Sequence, residues 1–389
     1  MIYCINPDCK QRQNPNNIDR CQACGTPLII GGYQLLKPLR SLDPRSYTDV
    51  FEAEDKQGTR KVIKVLKDSS TQLVEMFVRE AFTLQLLNHP GIPKVEIDGY
   101  FTFTPNNSTQ ELHCLAMEKI DGQNLEQWLR KRDRLSQNLA LNWLRQLIEI
   151  IEVLHKNKFF HRDIKPSNII LKPDGRLVLI DFGSVRGITD TYLPKIKQQT
   201  ITAIISGGYT PPEQIDGKAV PQSDFYALGR TFVHLLTGKS PLELPKNSRT
   251  GKLIWKKYAP QISQFLADFL DEMMAVSPFD RPQDTAIILR SLTLRGLFVQ
   301  SVLRCLNSAS LRGLIAALLL AGTLYRLSFP VIAQHYYDLG VKAQQSQQLF
   351  EAKKYYDRAL EFNSQDAKIV NNLGLICQNL KDFVCAQLQ

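Results

Sequence analysis

Two short segments near the middle of the chain carry the residue types that phosphoryl transfer requires. Residues 161–168 read HRDIKPSN, and residues 181–183 read DFG. Asp163 in the first segment could act as a general base that accepts the proton of a hydroxyl. Asn168 and Asp181 offer the hard oxygen ligands that Mg²⁺ prefers. Because transfer from ATP depends on such a base, on cations at the β and γ oxygens and on in-line placement, we interpret this set as a candidate site for ATP and Mg²⁺.

Three further charged residues suit the same reaction. Lys165 lies two residues after the candidate base and could neutralise charge on the transferred group. Lys64 lies in an apolar strand pattern, where an isolated ammonium would be costly unless it were paired. Glu80, on the helical pattern that follows, is its natural partner. We expect this pair to hold the α and β phosphates.

Strands and helices must bring these residues together, and the apolar periodicity predicts both. The predicted elements are strands at 50–55, 61–66, 169–172 and 177–180 and helices at 74–87 and 139–154. Strands dominate the first part of this region and helices the second. The pattern therefore predicts an α+β fold with two lobes.

At this point the chain resembles a known family. The motifs that carry the resemblance are, in chain order, Lys64, Glu80, HRDIKPSN, DFG, Pro211-Pro212-Glu213, Asp224 and Arg281. This ordered set resembles the signature of eukaryotic-type protein kinases and covers residues 33–293. The resemblance implies the two-lobed protein kinase fold, with ATP in the cleft between the lobes.

The resemblance also implies a nucleotide-binding role for residues outside the central motifs. Glu118 and Ile120 would offer backbone groups to the adenine, and Met117 would lie at the back of the pocket. Val50, followed by a phenylalanine, matches the end of the loop that covers the phosphates in this family.

Three motif residues are expected to stabilise the fold. The resemblance implies a buried ion pair between Glu213 and Arg281. It also implies that Asp224 braces the catalytic loop. We interpret these residues as structural, with no part in the chemistry.

The resemblance indicates the serine/threonine branch of the family. That branch has a lysine where Lys165 stands, and Ser206 matches the hydroxyl that it sets near the catalytic aspartate. Arg162 resembles the arginine of kinases whose activation segment is ordered by a bound phosphate. Thr200 and Thr202 are then the candidate phosphate acceptors. The substrates would be serine or threonine residues of proteins.

One segment departs from the family pattern. Counting back from Val50, the three positions for glycine hold Asp43, Arg45 and Thr48, and residues 33–57 contain no glycine. Glycine lets backbone amides approach phosphate closely, so bulky side chains should weaken this clamp. The alternative function is therefore an ATP-impaired pseudokinase that acts as a protein-interaction scaffold.

The first thirty residues indicate a metal site. Four residues separate Cys4 from Cys9, two separate Cys21 from Cys24, and eleven lie between the pairs. Two close cysteine pairs supply four thiolates for tetrahedral Zn²⁺, which would provide the folding free energy of so short a segment. Disulfides or unliganded thiols are the alternatives. The arrangement resembles the four-cysteine prefix of some bacterial kinases, with a structural or partner-binding role for residues 1–30.

The region after the kinase-like segment suggests a membrane anchor. Residues 294–312 form a basic linker, and residues 313–333 are mostly apolar and about the length needed to cross a bilayer. Arg326 and Pro330 interrupt this stretch. Because the basic flank lies on the kinase side, we predict a single-pass inner-membrane (plasma-membrane) protein with a cytoplasmic kinase domain. A buried helix that joins the kinase to the tail is the alternative.

The tail, residues 334–389, contains an internal period. Leu339-Gly340 recurs thirty-four residues later as Leu373-Gly374, and Ala352 recurs at the same offset as Ala386. This period resembles the tetratricopeptide repeat, a helical hairpin that stacks on its neighbours, although an unrelated hairpin remains an alternative. The repeats are incomplete. We expect them, like the cysteine segment, to bind protein partners.

Composition adds a weaker constraint. The chain has 389 residues, 43% of them hydrophobic, and a formal net charge of +10. Such a charge favours contact with phosphates, anionic membranes or acidic partners without choosing among them. We expect no nucleic-acid partner.

Overall fold

The structure is a computed structural model that describes residues 1–106, 108–132, 134–187, 206–292 and 329–380. The chain divides into two compact units, Met1–Leu294 and Arg295–Gln389. The first unit holds the cysteine segment together with all the predicted kinase motifs. The second holds the tail.

The first unit is rich in strands at its amino-terminal end. The strands are β1 Ile2–Tyr3, β2 Gln13–Asn14, β3 Ile29–Ile30, β4 Tyr33–Pro38, β5 Thr48–Asp55, β6 Arg60–Leu66, β7 Tyr100–Phe103, β8 Leu112–Glu118, β9 Gln123–Asn124, β10 Phe159–Phe160, β11 Ile169–Leu171, β12 Leu177–Leu179 and β13 Arg186–Gly187. Six of them form one antiparallel sheet in the order β3-β4-β5-β6-β8-β7. The predicted strands at 50–55 and 61–66 lie within β5 and β6, and this prediction is confirmed.

Alternation along β5 and β6 separates the core of this sheet from its other face. Phe51 and Ile63 are fully buried and belong to one apolar cluster. Val50 pairs with Lys64 across the two strands, and this pair is adjacent to the pair of Phe51 and Ile63. Because successive side chains of a strand point to opposite faces, Val50 and Lys64 share the face away from this cluster.

The rest of the first unit is mainly helical. Its helices are α1 Thr71–Leu86, α2 Leu125–Lys131, α3 Gln137–Lys156, α4 Pro212–Ile215, α5 Gln222–Thr237 and α6 Gln264–Met273, and residues 285–292 are also helical. Helix α3 buries an apolar stripe that includes Leu144, Ile148 and Ile151, as expected for a 3.6-residue period. The predicted helices at 74–87 and 139–154 correspond to α1 and α3. The mixed content of helix and sheet is therefore confirmed, and the division into two lobes stays a prediction.

The cysteine segment packs directly on the six-stranded sheet. Ile5 is fully buried within the apolar cluster of that sheet. Arg12 donates hydrogen bonds to the carbonyl oxygens of Cys4 (2.9 Å) and Ile5 (3.1 Å) and forms an ion pair with Asp49 of β5 at 2.8 Å. Its guanidinium also lies 5.2 Å from the ring centre of Phe51. The segment is thus built into the same core as the sheet.

The described part of the tail is helical. Residues 329–345 are helical, followed by α7 Leu349–Phe362 and α8 Ala367–Asn379. Tyr356 is fully buried against the first of these helices, where a Cβ atom on Gly340 would lie 2.6 Å from its ring. Gly340 is therefore needed for the close approach of the two helices. The assignment to a tetratricopeptide repeat stays a prediction, and Ala386 lies outside the described residues.

The predicted membrane anchor is not supported. Of the stretch 313–333, only residues 329–333 are among the described residues. Within the described ranges, no helix is long and apolar enough to cross a bilayer. The prediction of a single-pass inner-membrane protein is contradicted by this finding, and we withdraw it. In the sequence, the charge of Arg326 and the ring of Pro330 interrupt the apolar run, so its composition is a weak basis for a membrane span.

Candidate active site

Three charged residues from different parts of the chain, Lys64, Glu80 and Asp181, are in contact through the ammonium of Lys64. Lys64 of β6 donates hydrogen bonds to both carboxylate oxygens of Glu80 in α1, at 2.8 Å each. Its ammonium also lies 3.1 Å from the carboxylate of Asp181. Burial alone would lower the pKa of Lys64, but the charges of Asp181 and Glu80 raise it above its ordinary value. The charge of Lys64 in turn holds the pKa of Asp181 well below its usual range.

A second group surrounds the carboxylate of Asp163. Lys165 forms an ion pair with it at 2.8 Å, and the hydroxyl of Ser206 donates to it at 2.5 Å. The ammonium of Lys165 also donates to the Ser206 hydroxyl oxygen at 2.8 Å. The side-chain amide of Asn168 donates to the backbone oxygen and the carboxylate of Asp163, at 3.0 and 2.9 Å. The structure therefore brings together the predicted base, lysine, hydroxyl and amide.

The backbone next to Asp163 is hydrogen-bonded to a buried carboxylate. Asp224 of α5 accepts hydrogen bonds from the backbone N–H groups of His161 (2.9 Å) and Arg162 (2.8 Å) and contacts the His155 ring at 3.0 Å. Arg162 has a φ of 71°, a left-handed conformation that is costly for a side chain of this size. The hydrogen bonds to Asp224 stabilise that conformation, and they brace the catalytic loop as the family resemblance implied. Burial alone would raise the pKa of Asp224, but hydrogen bonds from His155 and the loop hold it below its ordinary value.

A cavity of about 700 Å³ lies beside both groups. Its lining includes the predicted nucleotide-binding residues Val50, Lys64, Met117, Glu118, Ile120, Asn168 and Asp181, together with Lys165. Glu80 lies behind Lys64, and Asp163 lies next to Asn168. Apart from Glu80, the residues predicted to bind the nucleotide thus line one cavity, and its volume is in the range usual for small-molecule sites.

Two residues could hold a divalent cation at this cavity. The amide nitrogen of Asn168 is committed to Asp163, so its amide oxygen is the atom left to act as a ligand. Asp181 is held as a carboxylate by its neighbours. A carboxylate and an amide oxygen form a hard donor set that fits Mg²⁺, which usually keeps several waters and substrate oxygens besides a few protein ligands.

Residues 39–48, which stand where the family has its phosphate-covering loop and which we call the phosphate-facing segment, are organised differently; Leu39 and Arg40 of this segment line the cavity. Asp43 forms an ion pair with Arg45 at 3.2 Å, and the ammonium of Lys67 donates to the backbone oxygen of Asp43 at 2.9 Å. Arg40 lines the cavity, and its guanidinium lies 3.3 Å from the carboxylate of Asp181. The sequence analysis missed Arg40, because no periodicity fixes the direction of a side chain in such a loop.

The remaining motif residues form a buried ion pair away from the cavity. Arg281 donates to both carboxylate oxygens of Glu213, at 2.6 and 3.0 Å. The hydroxyl of Ser223 donates to the same carboxylate at 2.7 Å. The predicted structural pair is confirmed. Thr200 and Thr202, the predicted phosphate acceptors, lie outside the described residues.

The four cysteines of the amino-terminal segment converge on one point. The Sγ atoms of Cys4 and Cys24 are 3.6 Å apart, as are those of Cys9 and Cys21, and all four lie within 4.8 Å of one another. Tetrahedral ligands at the usual Zn–S distance of about 2.3 Å would be roughly 3.8 Å apart. The cluster therefore fits a Zn²⁺ ion. Burial alone would raise the pKa of Cys24, but hydrogen bonding to Thr26 lowers it to about 6. Burial raises the pKa of Cys9 to about 11 and that of Cys4 well above its usual range, so of these three thiols only Cys24 favours the thiolate before a metal binds.

Comparison with known proteins identifies the family of this chain. Residues 46–337 match the family model described as a protein kinase domain. Serine/threonine-protein kinase B of Synechocystis sp. is 35% identical over 308 residues, which cover 75% of this chain and 52% of that protein. Serine/threonine-protein kinase PknA of Nostoc sp. is 35% identical over 278 residues, covering 69% of this chain and 48% of its own length. Serine/threonine-protein kinase PrkC of Bacillus subtilis is 29% identical over 265 residues, 65% of this chain and 39% of that protein.

The chain belongs to the protein kinase family, as the sequence motifs predicted. It spans about half the length of the cyanobacterial relatives that it matches. The family match begins at Ser46, so it does not include Arg40, Asp43 or Arg45. Of the three glycine positions that depart from the family pattern, Asp43 and Arg45 therefore lie outside the matched range, and Thr48 lies within it.

Proposed function

We propose that this chain is a serine/threonine protein kinase that transfers the γ-phosphate of ATP to protein hydroxyl groups. The observation that carries the proposal is the convergence of two groups on one cavity: Lys64 with Glu80 and Asp181 on one side, and Asp163 with Lys165 and Asn168 on the other. The names of the cyanobacterial relatives agree with it. Each member of the two groups has a separate task in phosphoryl transfer.

The carboxylate of Asp163 would accept the proton of the attacking hydroxyl. Lys165, 2.8 Å from that carboxylate, would neutralise charge on the phosphoryl group as it passes. Lys64 would orient the α and β phosphates, and Glu80 keeps its ammonium in place from behind. A Mg²⁺ ion held by Asn168 and Asp181 would supply positive charge at the β and γ oxygens.

Ser206 supports the serine/threonine specificity. Its hydroxyl bonds both Asp163 and Lys165, at 2.5 and 2.8 Å, so it occupies the place beside the base where a substrate hydroxyl must arrive. We infer that an aliphatic hydroxyl of similar reach is accepted there, and that a bulky phenol is not. The substrates would accordingly be serine and threonine residues of proteins.

Incubation with labelled ATP and Mg²⁺ tests the proposal. We expect incorporation of phosphate into the protein or into a generic protein substrate, confined to phosphoserine and phosphothreonine. Asp163→Asn should lower the rate by about 10²- to 10⁴-fold, the usual effect of a general base, while MgADP affinity is retained. Asp174→Asn removes a carboxylate from an exposed turn and serves as the matched control. Loss of activity in both variants, or none in Asp163→Asn, would contradict the assigned base.

A second candidate function is that of a non-catalytic scaffold. It is favoured by the phosphate-facing segment, where bulky residues replace the expected glycines and Asp43 and Arg45 bond each other. A wild-type protein with no phosphate transfer, and with no thermal shift on addition of MgATP or MgADP, would support the scaffold in place of the kinase.

For the cysteine cluster we propose a structural Zn²⁺ site made by Cys4, Cys9, Cys21 and Cys24. The fit of the sulfur positions supports it, and four protein thiolates leave no coordination position for substrate. Metal analysis of purified protein should give one zinc per chain. Cys21→Ser with Cys24→Ser should abolish that zinc, whereas Cys114→Ser, in the sheet core, should leave it unchanged.

For residues 334–389 we propose a partner-binding repeat of the tetratricopeptide type. The packing of Tyr356 against Gly340 supports the hairpin on which such repeats depend. The experiment is affinity capture by the full chain and by a Tyr356→Ala variant, in which loss of a bound protein only from the variant would agree with the proposal.

A further inference from the structure

The backbone of the phosphate-facing segment is poorly placed to bind phosphate. None of residues 39–48, all of which the structure describes, has a positive φ, so the segment lacks the left-handed turns from which a phosphate-binding nest is built. Several of its N–H groups are also already used. The amide of Leu39 donates to Val50, that of Arg45 to the Asp43 side chain, and that of Ser46 to the Asp43 backbone.

One side chain of the same segment, that of Arg40, lies at the cavity and could bind phosphate in place of those amides. Arg40 lines the cavity together with Lys64, Asn168 and Asp181. Its guanidinium lies 3.3 Å from the Asp181 carboxylate, the group that would face the metal and the phosphates. The Arg40 side chain is 59% exposed, so it is free to change partner without breaking a packed core.

The chemistry of arginine suits this position. A guanidinium presents several N–H donors in a planar fork and binds phosphate oxygens in pairs. In this structure Asp181 supplies the negative charge that Arg40 requires. When a divalent cation and nucleotide phosphates enter, the carboxylate is drawn to the cation and the phosphates offer the guanidinium a stronger anionic partner.

We propose that Arg40 is a phosphate-binding residue of the nucleotide site and replaces the glycine amides that this segment lacks. This inference rests on the proposed kinase function, and it deepens that function by naming the residue that contacts the nucleotide phosphates. Arg45 provides a contrast in the same segment: its side chain is 90% exposed and pairs with Asp43, and it is not among the residues that line the cavity.

The test compares two probes that differ only in phosphate. Dissociation constants for MgADP and for adenosine are measured by calorimetry on the full chain and on three variants, Arg40→Ala, Arg40→Lys and Arg45→Ala. Loss of a hydrogen-bonded charge pair should weaken MgADP binding to Arg40→Ala by about tenfold or more. Adenosine binding should not change, which also shows that the variant is folded. Arg40→Lys should be intermediate, and Arg45→Ala should behave as wild type.

Other results would overturn the proposal. Equal MgADP affinity in wild type and Arg40→Ala would show that Arg40 does not contact the phosphates. Tighter MgADP binding to Arg40→Ala would show that Arg40 only competes for Asp181. In both cases the proposed kinase function survives, because the wild type still binds MgADP. Failure of the wild type to bind MgADP at all would instead remove the kinase proposal and this inference with it.

Discussion

The two loops that face the nucleotide cavity are built in opposite ways. The catalytic loop, residues 161–168, is fixed from inside the protein, since buried Asp224 accepts two of its backbone N–H groups and Asn168 bonds back to Asp163. The phosphate-facing segment, residues 39–48, is held mainly by contacts at its own surface, such as the Asp43–Arg45 pair. The catalytic loop is braced by a fully buried carboxylate, whereas the phosphate-facing segment contacts the rest of the protein through partly buried groups: Leu42 packs against the apolar cluster of the sheet, and Lys67 bonds the Asp43 backbone oxygen.

This difference matches the different demands of the two tasks, placement of the general base and binding of phosphate. A general base must lie within hydrogen-bond reach of a hydroxyl, so small displacements are expensive and a buried brace is useful. Phosphate binding depends on positive charge and donors that several kinds of group can supply. A segment without glycines can therefore still bind phosphate if a side chain such as Arg40 supplies the donors.

The largest effect should come from removing the brace of the catalytic loop. Asp224→Ala leaves the N–H groups of His161 and Arg162 without their acceptor in a buried place. We expect unfolding free energy to fall by about 3 kcal/mol, since each buried unsatisfied donor costs about 1–3 kcal/mol. Urea unfolding measures this effect. Asp216→Ala, an exposed change just after α4, should cost less than about 0.5 kcal/mol, and an equal loss in both variants would break the comparison.

Much of this site could be predicted from the sequence, because local patterns determine it. Lys64 and Glu80 lie on a strand and the helix that follows, so a strand–helix pattern was enough to predict a pair now seen at 2.8 Å. The ordered motifs did the same for Asp163, Asn168 and Asp181. Asn168 and Asp181 border the predicted strands β11 and β12, whereas Asp163 was identified by its motif alone.

The remaining features depend on contacts that no local pattern reveals. The Arg12–Asp49 pair joins residues from different segments, and neither belongs to a recognised motif. Arg40 lies in a loop, where side-chain direction follows from tertiary packing. The membrane prediction rested on apolar composition alone, and within the described ranges no helix is long and apolar enough to support it.

A smaller effect should follow from separating the cysteine segment from the sheet. Arg12→Ala removes the ion pair to Asp49 and the hydrogen bonds to the Cys4 and Ile5 carbonyl oxygens. We expect a loss of about 1–3 kcal/mol in thermal or urea unfolding, because Asp49 is left buried with only Lys67 as a counter-charge among the residues described. Since Asp49 is next to Val50, MgADP affinity should fall as well. Arg20→Ala is the matched control, since the Arg20 side chain donates a hydrogen bond to the Gly25 backbone oxygen at 3.1 Å and forms no ion pair among the residues described; an equal loss there would show that the position of Arg12 is not special.

The smallest effect concerns acid stability of the nucleotide-free protein. The pKa of Asp181 is lowered by Lys64, against burial, with a further contribution from Arg40. A carboxyl group whose pKa is lowered by folding stabilises the protein above its ordinary value of about 3.9, and this contribution is lost as the pH falls through the lower native value. Thermal midpoints measured from pH 6 downward should therefore drop less steeply for Asp181→Asn than for wild type below about pH 4. Parallel curves would show that the anionic centre of the phosphate site contributes nothing to folding, and the contrast between the two loops would then rest on the brace at Asp224 alone.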